Sequence, residues 1–123
     1  MKLPRIYTGD DNQSHFEELD LPMNSDRRAT SEWLTGAKTA FGESPALEPQ
    51  DWHHAPRRQL VAVLSGALEI EVGDGTKRRF NVGDFFLADD LTGQGHQTTD
   101  VEGPVRLVYV ELPPELDPTR WRK

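Results

Sequence analysis

Cysteine is missing from the sequence altogether, which excludes a disulfide framework, a thiolate nucleophile and a zinc–thiolate centre. No apolar run approaches the ~20 residues needed to span a bilayer as a helix, so an integral helical membrane protein is excluded as well. Nothing near Met1 resembles a basic leader followed by an apolar core, and a cytoplasmic protein is expected. Basic residues are in deficit, with 14 Lys and Arg against 21 Asp and Glu and a formal net charge of −7. The few basic clusters, Arg27-Arg28, Arg57-Arg58 and Lys77-Arg78-Arg79, lie far apart. Neither nucleic acid nor a membrane is therefore an expected partner. The Lys77–Arg79 run follows Gly73-Asp74-Gly75 and reads as the solvated flank of a hairpin.

What remains is a polar, well-patterned chain. Its 123 residues suit one domain, and 9 prolines with 10 glycines imply many turns. The class expected is all-β. Arg5–Thr8 and His15–Leu19 read as short strands around the Gly9–Ser14 turn, within an N-terminal arm (1–38) that packs over the domain or a partner. Ser31–Ala40 suits either a strand pair or one helical turn, because Gly36 interrupts any helix begun at Ser31. Gly42–Gln50, with Pro45 and Pro49, reads as a loop. From Leu60 onward apolar runs and turns alternate. Leu60–Leu64, Leu68–Val72, Asp84–Ala88 and Val105–Leu112 are expected strands, with a hairpin at Asp74-Gly75 and a turn at Asn81–Asp84. Pro113-Pro114 ends the last strand, leaving a tail (113–123).

Two segments concentrate the chemistry. Trp52–Gly66 (WHHAPRRQLVAVLSG) sets His53, His54, Arg57 and Gln59 before an apolar strand, and Gly93–His96 (GQGH) supplies the other histidine able to reach the same place. If the strand is regular, Arg57 shares the parity of His53 and Gln59 and faces inward, where it would favour an anionic group, while Arg58 faces away. The alternative is that both arginines pair with acids such as Asp51, Asp89 or Asp90. Trp52 and Phe86 are either pocket walls or core. His15 reads as a surface histidine.

The intervals among His53, Gln59 and Gly66 resemble the first signature of the cupin family, and Gly83-Asp84, Gly93 and His96 resemble the second. The resemblance covers about residues 39–112 and implies a single-domain cupin jelly-roll β-barrel (double-stranded β-helix) in that range, with antiparallel strands in two sheets around a pocket. Two of the family's four usual metal ligands are altered, because Ala55 stands at the second histidine and Gln59 at the acid. His54 does not restore the set, since neighbours on a strand face opposite ways. The resemblance implies a divalent metal (Mn, Fe, Ni or Zn) held by His53, Gln59 and His96, and no organic cofactor. A metal-free pocket with the same residues hydrogen-bonded to a ligand is the alternative. His53, His96 and Arg57 are the expected catalytic residues. The pattern is similar to manganese-dependent cupin hydroxynitrile lyases and, comparably, to cupin oxygenases. This implies lyase or oxygenase chemistry on a small carbonyl or organic acid, against the alternative of a non-catalytic small-ligand-binding cupin. Open sheet edges and the arm imply a homodimer.

Overall fold

Eight strands and one short 3₁₀ turn make up the regular structure in the computed structural model, which describes residues 1–44 and 49–122. The strands are β1 (Lys2–Thr8), β2 (Ser14–Asp20), β3 (Thr39–Ser44), β4 (Pro49–His53), β5 (Gln59–Glu71), β6 (Lys77–Phe80), β7 (Phe85–Asp89) and β8 (His96–Glu111). The expected Gly42–Gln50 loop is strand at both described ends, Gly42–Ser44 in β3 and Pro49-Gln50 in β4, because both ends pair with β8; the part between lies outside the described residues. Hydrogen bonding runs β2-β1-β7-β5-β8-β3, with β4 on β8 and β6 on β5. One pair departs from the antiparallel expectation: β1 runs parallel to β7, Arg5 opposite Leu87 and Tyr7 opposite Asp89.

The sheet closes because its two longest strands bend together. Gln59–Ala62 pairs with β7, whereas Leu68–Glu71 pairs with β6. On β8, Val105–Val110 pairs with β3, whereas His96, Thr98 and Thr99 pair with β4. Between the halves the β5/β8 register shifts at Val63–Leu68. Each extra residue of a bulge flips the inward parity. Inward positions pass from Gln59, Val61 and Val63 to Leu68, Ile70 and Val72 on one strand, and from His96, Thr98 and Asp100 to Val105, Leu107 and Tyr109 on the other. Gly66 sits at the corner with φ of +72°, where an added Cβ would strike the carbonyl oxygens of Glu102 and Pro104. Glycine alone meets both demands. The two expected strands Leu60–Leu64 and Leu68–Val72 are therefore one bent strand, and Val105–Leu112 is the second half of another.

The halves pack on each other through Val61, Val63, Phe86, Ala88 and Val105 from one side and Leu68, Ile70, Val72 and Phe80 from the other. A second cluster on the outer face joins Leu3, Leu19, Leu21, Leu87, Leu112 and Trp121. Ser31–Lys38 forms neither the strand pair nor the helical turn. It crosses the outer face as an irregular strap, tied by Ala37 N–H to Glu111 O and by Glu111 N–H to Lys38 O, with Leu34 packed on the outer cluster. The stretch has too few apolar residues to support a helical stripe. No described helix is long and apolar enough to cross a membrane.

His15 is more than a surface histidine. Its Nδ1 meets Asp74 Oδ2 at 2.9 Å and its Nε2 meets Asp11 at 2.9 Å, joining the β1–β2 turn to the β5–β6 hairpin. The bond to Asp11 raises the imidazole above its ordinary 6.5; burial opposes the rise and the bond to Asp74 adds to it. Asp11 is held below its usual 3.8 chiefly by His15, and Asp74 chiefly by Thr76. A raised histidine contributes stability that is full below its unfolded value and is lost as pH rises through the folded one. Melts of wild type and His15→Asn should differ most below the ordinary imidazole value of 6.5 and converge as pH rises through the raised folded value. A gap that widened with pH would contradict the clamp.

Candidate functional site

A cavity of about 630 Å³ opens between the two halves of the barrel. That volume falls within the roughly 300–1,000 Å³ of small-molecule sites. Lining it are His53, Gln59 and His96, together with Arg57 at its edge. The structure thus brings all four expected residues to one cavity.

His53 ends β4 directly opposite His96 at the start of β8, and the two rings lie 4.8 Å apart between centroids. His53 is exposed at the mouth while His96 is buried. Their approach depends on Gly95, whose φ is +81° and whose added Cβ would collide with the backbone of His53 and His54. In each ring Nδ1 is engaged in a hydrogen bond. His53 Nδ1 donates to the Asp51 carbonyl at 2.8 Å, and His96 Nδ1 meets Asp90 Oδ2 at 2.6 Å. A carboxylate or a carbonyl oxygen accepts here, so the neutral form of each ring carries its proton on Nδ1 and keeps the lone pair on Nε2. Gln59, 9% exposed, enters from β5 opposite Ala88.

Asp90, which the sequence offered only as a partner for the arginines, stands behind His96 instead. It has no exposed surface, its Oδ1 has no hydrogen-bond partner among the described residues, and its backbone carbonyl accepts from Ala55 N–H at 2.9 Å. A buried carboxylate oxygen left unpaired costs about 1–3 kcal/mol or more. Its neighbour Asp89 faces the other way and is fully engaged, by Arg5 at 2.7 Å on one oxygen and by Arg58 at 2.7 Å on the other. Alternation along β7 carries the signal: Phe86, Ala88 and Asp90 point inward, Leu87 and Asp89 outward.

The arginines resolve differently from the simple parity argument. β5 begins at Gln59, so Arg57 lies in the preceding bend; its Nε binds Glu111 Oε2 at 2.9 Å and its side chain is 54% exposed. Glu111 was not among the acids anticipated. Arg58 crosses to Asp89 and to the carbonyls of Pro114 and Leu116, fastening the tail. His54 stays out of the cavity lining, its Nδ1 donating to Ala55 O at 3.0 Å. Ala55 presents only a methyl group to the cavity. Phe86 is a wall as well as core, whereas Trp52 is half-buried outside the lining.

The same cavity is also lined by Thr98, Asp100 and Tyr109, none of them anticipated. Burial, and then the negative charge of Asp100, raises the Tyr109 phenol above its ordinary 10.0, so it remains a proton-bearing donor at neutral pH. Among the described residues no group of three or more His, Asp or Glu is placed to hold a metal. The donors that could do so are two imidazole Nε2 atoms and one amide. Their set suits imidazole-binding divalent ions, and Asp90 behind His96 is the kind of outer partner that orients a ligating ring.

No family model and no curated protein sequence matches the chain. Solved structures do. A cupin domain of Cnp3 from Schizosaccharomyces pombe is similar at 16% identity with a TM-score of 0.52, over 98% of this chain and 88% of that one. With the bent eight-stranded sheet and its central cavity, this likeness establishes the class: the chain has the cupin jelly-roll fold. Drosophila melanogaster CENP-C bound to CAL1 matches at 15% identity and a TM-score of 0.45, over 89% of this chain and 76% of that one. A putative ethanolamine utilization protein Q from Salmonella typhimurium matches at 16% and 0.41, over 92% and 96%.

Proposed function

We propose that this chain is a small-molecule enzyme of the cupin type, acting on a carbonyl compound between His53 and His96. The observation that carries the reading is the buried Asp90–His96 bond of 2.6 Å behind an imidazole that faces a cavity of about 630 Å³. A carboxylate held at such a cost in order to orient one ring fits a reactive site better than a structural one. His96 and His53 hold lone pairs towards the substrate, Gln59 and Tyr109 offer hydrogen bonds to its oxygens, and the apolar walls Val61, Leu68, Phe86 and Leu107 exclude water. Arg57 stands at the mouth, where an anionic substrate group would compete with Glu111 for it.

His53, Gln59 and His96 would hold a divalent ion such as Mn, Fe, Ni or Zn, which would supply Lewis-acid polarisation of the carbonyl, as lyase or oxygenase chemistry requires. The set is neutral, so its affinity is weak and Gln59→Glu should strengthen it. With added manganese or iron the melting temperature of Gln59→Glu should rise more than that of wild type, and His53→Ala and His96→Ala should lose the response. The lack of a third His or acid ligand among the described residues favours the second reading, a metal-free binding cupin. That reading predicts no metal response in any variant and a less stable Gln59→Glu, whose carboxylate is then uncompensated.

We also infer a cytoplasmic homodimer in which the arm (1–38) serves the interface beside the barrel (39–112) and tail (113–123). Trp33 on the strap is 93% exposed and Phe41 is 78% exposed. Beside them an apolar groove of about 340 Å³ is lined by Leu3, Leu21, Leu34, Leu60, Phe85 and Val108. Groove and protruding aromatics on one surface are self-complementary, as a two-fold contact requires. Light scattering should give twice 13.9 kDa, and Trp33→Ser should shift it towards the single mass; a monomeric wild type would contradict the dimer.

A further inference from the structure

The cavity has two chemically different ends. His96, Thr98 and Asp100 occupy alternate inward positions of β8, placing Asp100 roughly 13 Å along the strand from His96. Leu68, directly opposite Asp100 on β5, lines the same wall. The charged side chains around the cavity are not equivalent. Arg57 is neutralised by Glu111 at 2.9 Å and Glu43 by Arg106 at 2.8 Å, whereas no described cation lies within ion-pair distance of Asp100. The unbalanced charge on the lining is therefore negative. A half-buried carboxylate beside Tyr109 and Leu68 attracts a donor-rich group and repels an anion, more strongly than it would in open water.

We propose that the substrate is bifunctional, with a carbonyl end that meets His53 and His96 and a hydrogen-bond-donor end, an ammonium before a hydroxyl, held by Asp100 and Thr98. This rests on the reading of the cavity as a substrate site and adds the class of molecule that it selects. Asp100 is a specificity-determining residue: it accepts from the donor end and disfavours organic acids of the same length. The carboxylate left without a cation is the feature this account explains, because an ammonium supplies the missing positive charge.

Three matched probes test it by NMR titration of the wild-type protein. N-acetylputrescine, N-acetylaminobutanol and N-acetyl-γ-aminobutyrate share an acetamide carbonyl and end in ammonium, hydroxyl and carboxylate. The ammonium probe should bind about tenfold more tightly than the carboxylate probe, with the alcohol between. Asp100→Asn, nearly isosteric, should bring the ammonium-to-carboxylate ratio close to one, while His96→Ala should weaken all three together. A carboxylate preference, or a ratio unchanged in Asp100→Asn, overturns the inference even if His96→Ala still weakens binding. Binding by none of the probes, or binding indifferent to His96→Ala, overturns the substrate site itself and the inference with it.

Discussion

The bend shared by β5 and β8 is the constraint on which the rest of the molecule depends. Both strands must gain residues at the same corner, and Gly66, pressed between two carbonyl oxygens of β8 at positive φ, makes that corner. Without it the inward sets on the two halves would lie on opposite faces of a flat sheet, and no cavity would form. With it, Gln59 and Tyr109 from one half look towards Thr98 and His96 from the other across the same space. Gly95 repeats the device on a smaller scale by letting the backbone reach His53 closely enough for two imidazoles to meet.

Electrostatics then divides two adjacent acids between two tasks. Asp89 points out and ties β1, β5 and the tail together through Arg5 and Arg58. Such a double pairing satisfies a buried carboxylate fully, so its role is structural. Asp90 points in, and among the described residues its carboxylate bonds to His96 alone. The contrast supports the proposed role of Asp90 in orienting that ring, because a carboxylate that served stability alone would carry the partners that Asp89 has. The same comparison applies along the cavity, where Arg57 and Glu43 are in ion pairs and Asp100 meets no described cation.

Much of the barrel was legible. The hairpin at Asp74-Gly75, the turn at Asn81–Asp84 and the strands around Leu60, Leu68, Phe86 and Val108 follow from alternation and turn residues, and the intervals among His53, Gln59 and His96 singled out residues that line one cavity. What escaped has a common physical cause. A barrel that encloses a polar cavity places polar residues on its inner face, so the apolar alternation that marks a strand vanishes where the site is. Gln97–Asp100 shows no apolar alternation for that reason, and Thr98 and Asp100 were missed with it. Asp90 was one step beyond a strand whose parity already pointed it inward. The parallel β1–β7 pair and the irregular strap were not legible, because each is set by tertiary packing of distant segments rather than by local pattern.

The central claim is that Asp90 and the Asp51 carbonyl hold the protons of His96 and His53 on Nδ1, leaving two bare Nε2 atoms at the cavity. Long-range nitrogen–proton correlation NMR of the imidazoles tests it most directly, on chelator-treated protein at a pH where both rings are neutral. The account predicts Nδ1–H tautomers for both histidines, with the His96 form lost when Asp90 is replaced by leucine. A His96 that carries its proton on Nε2 in the wild-type protein would contradict it.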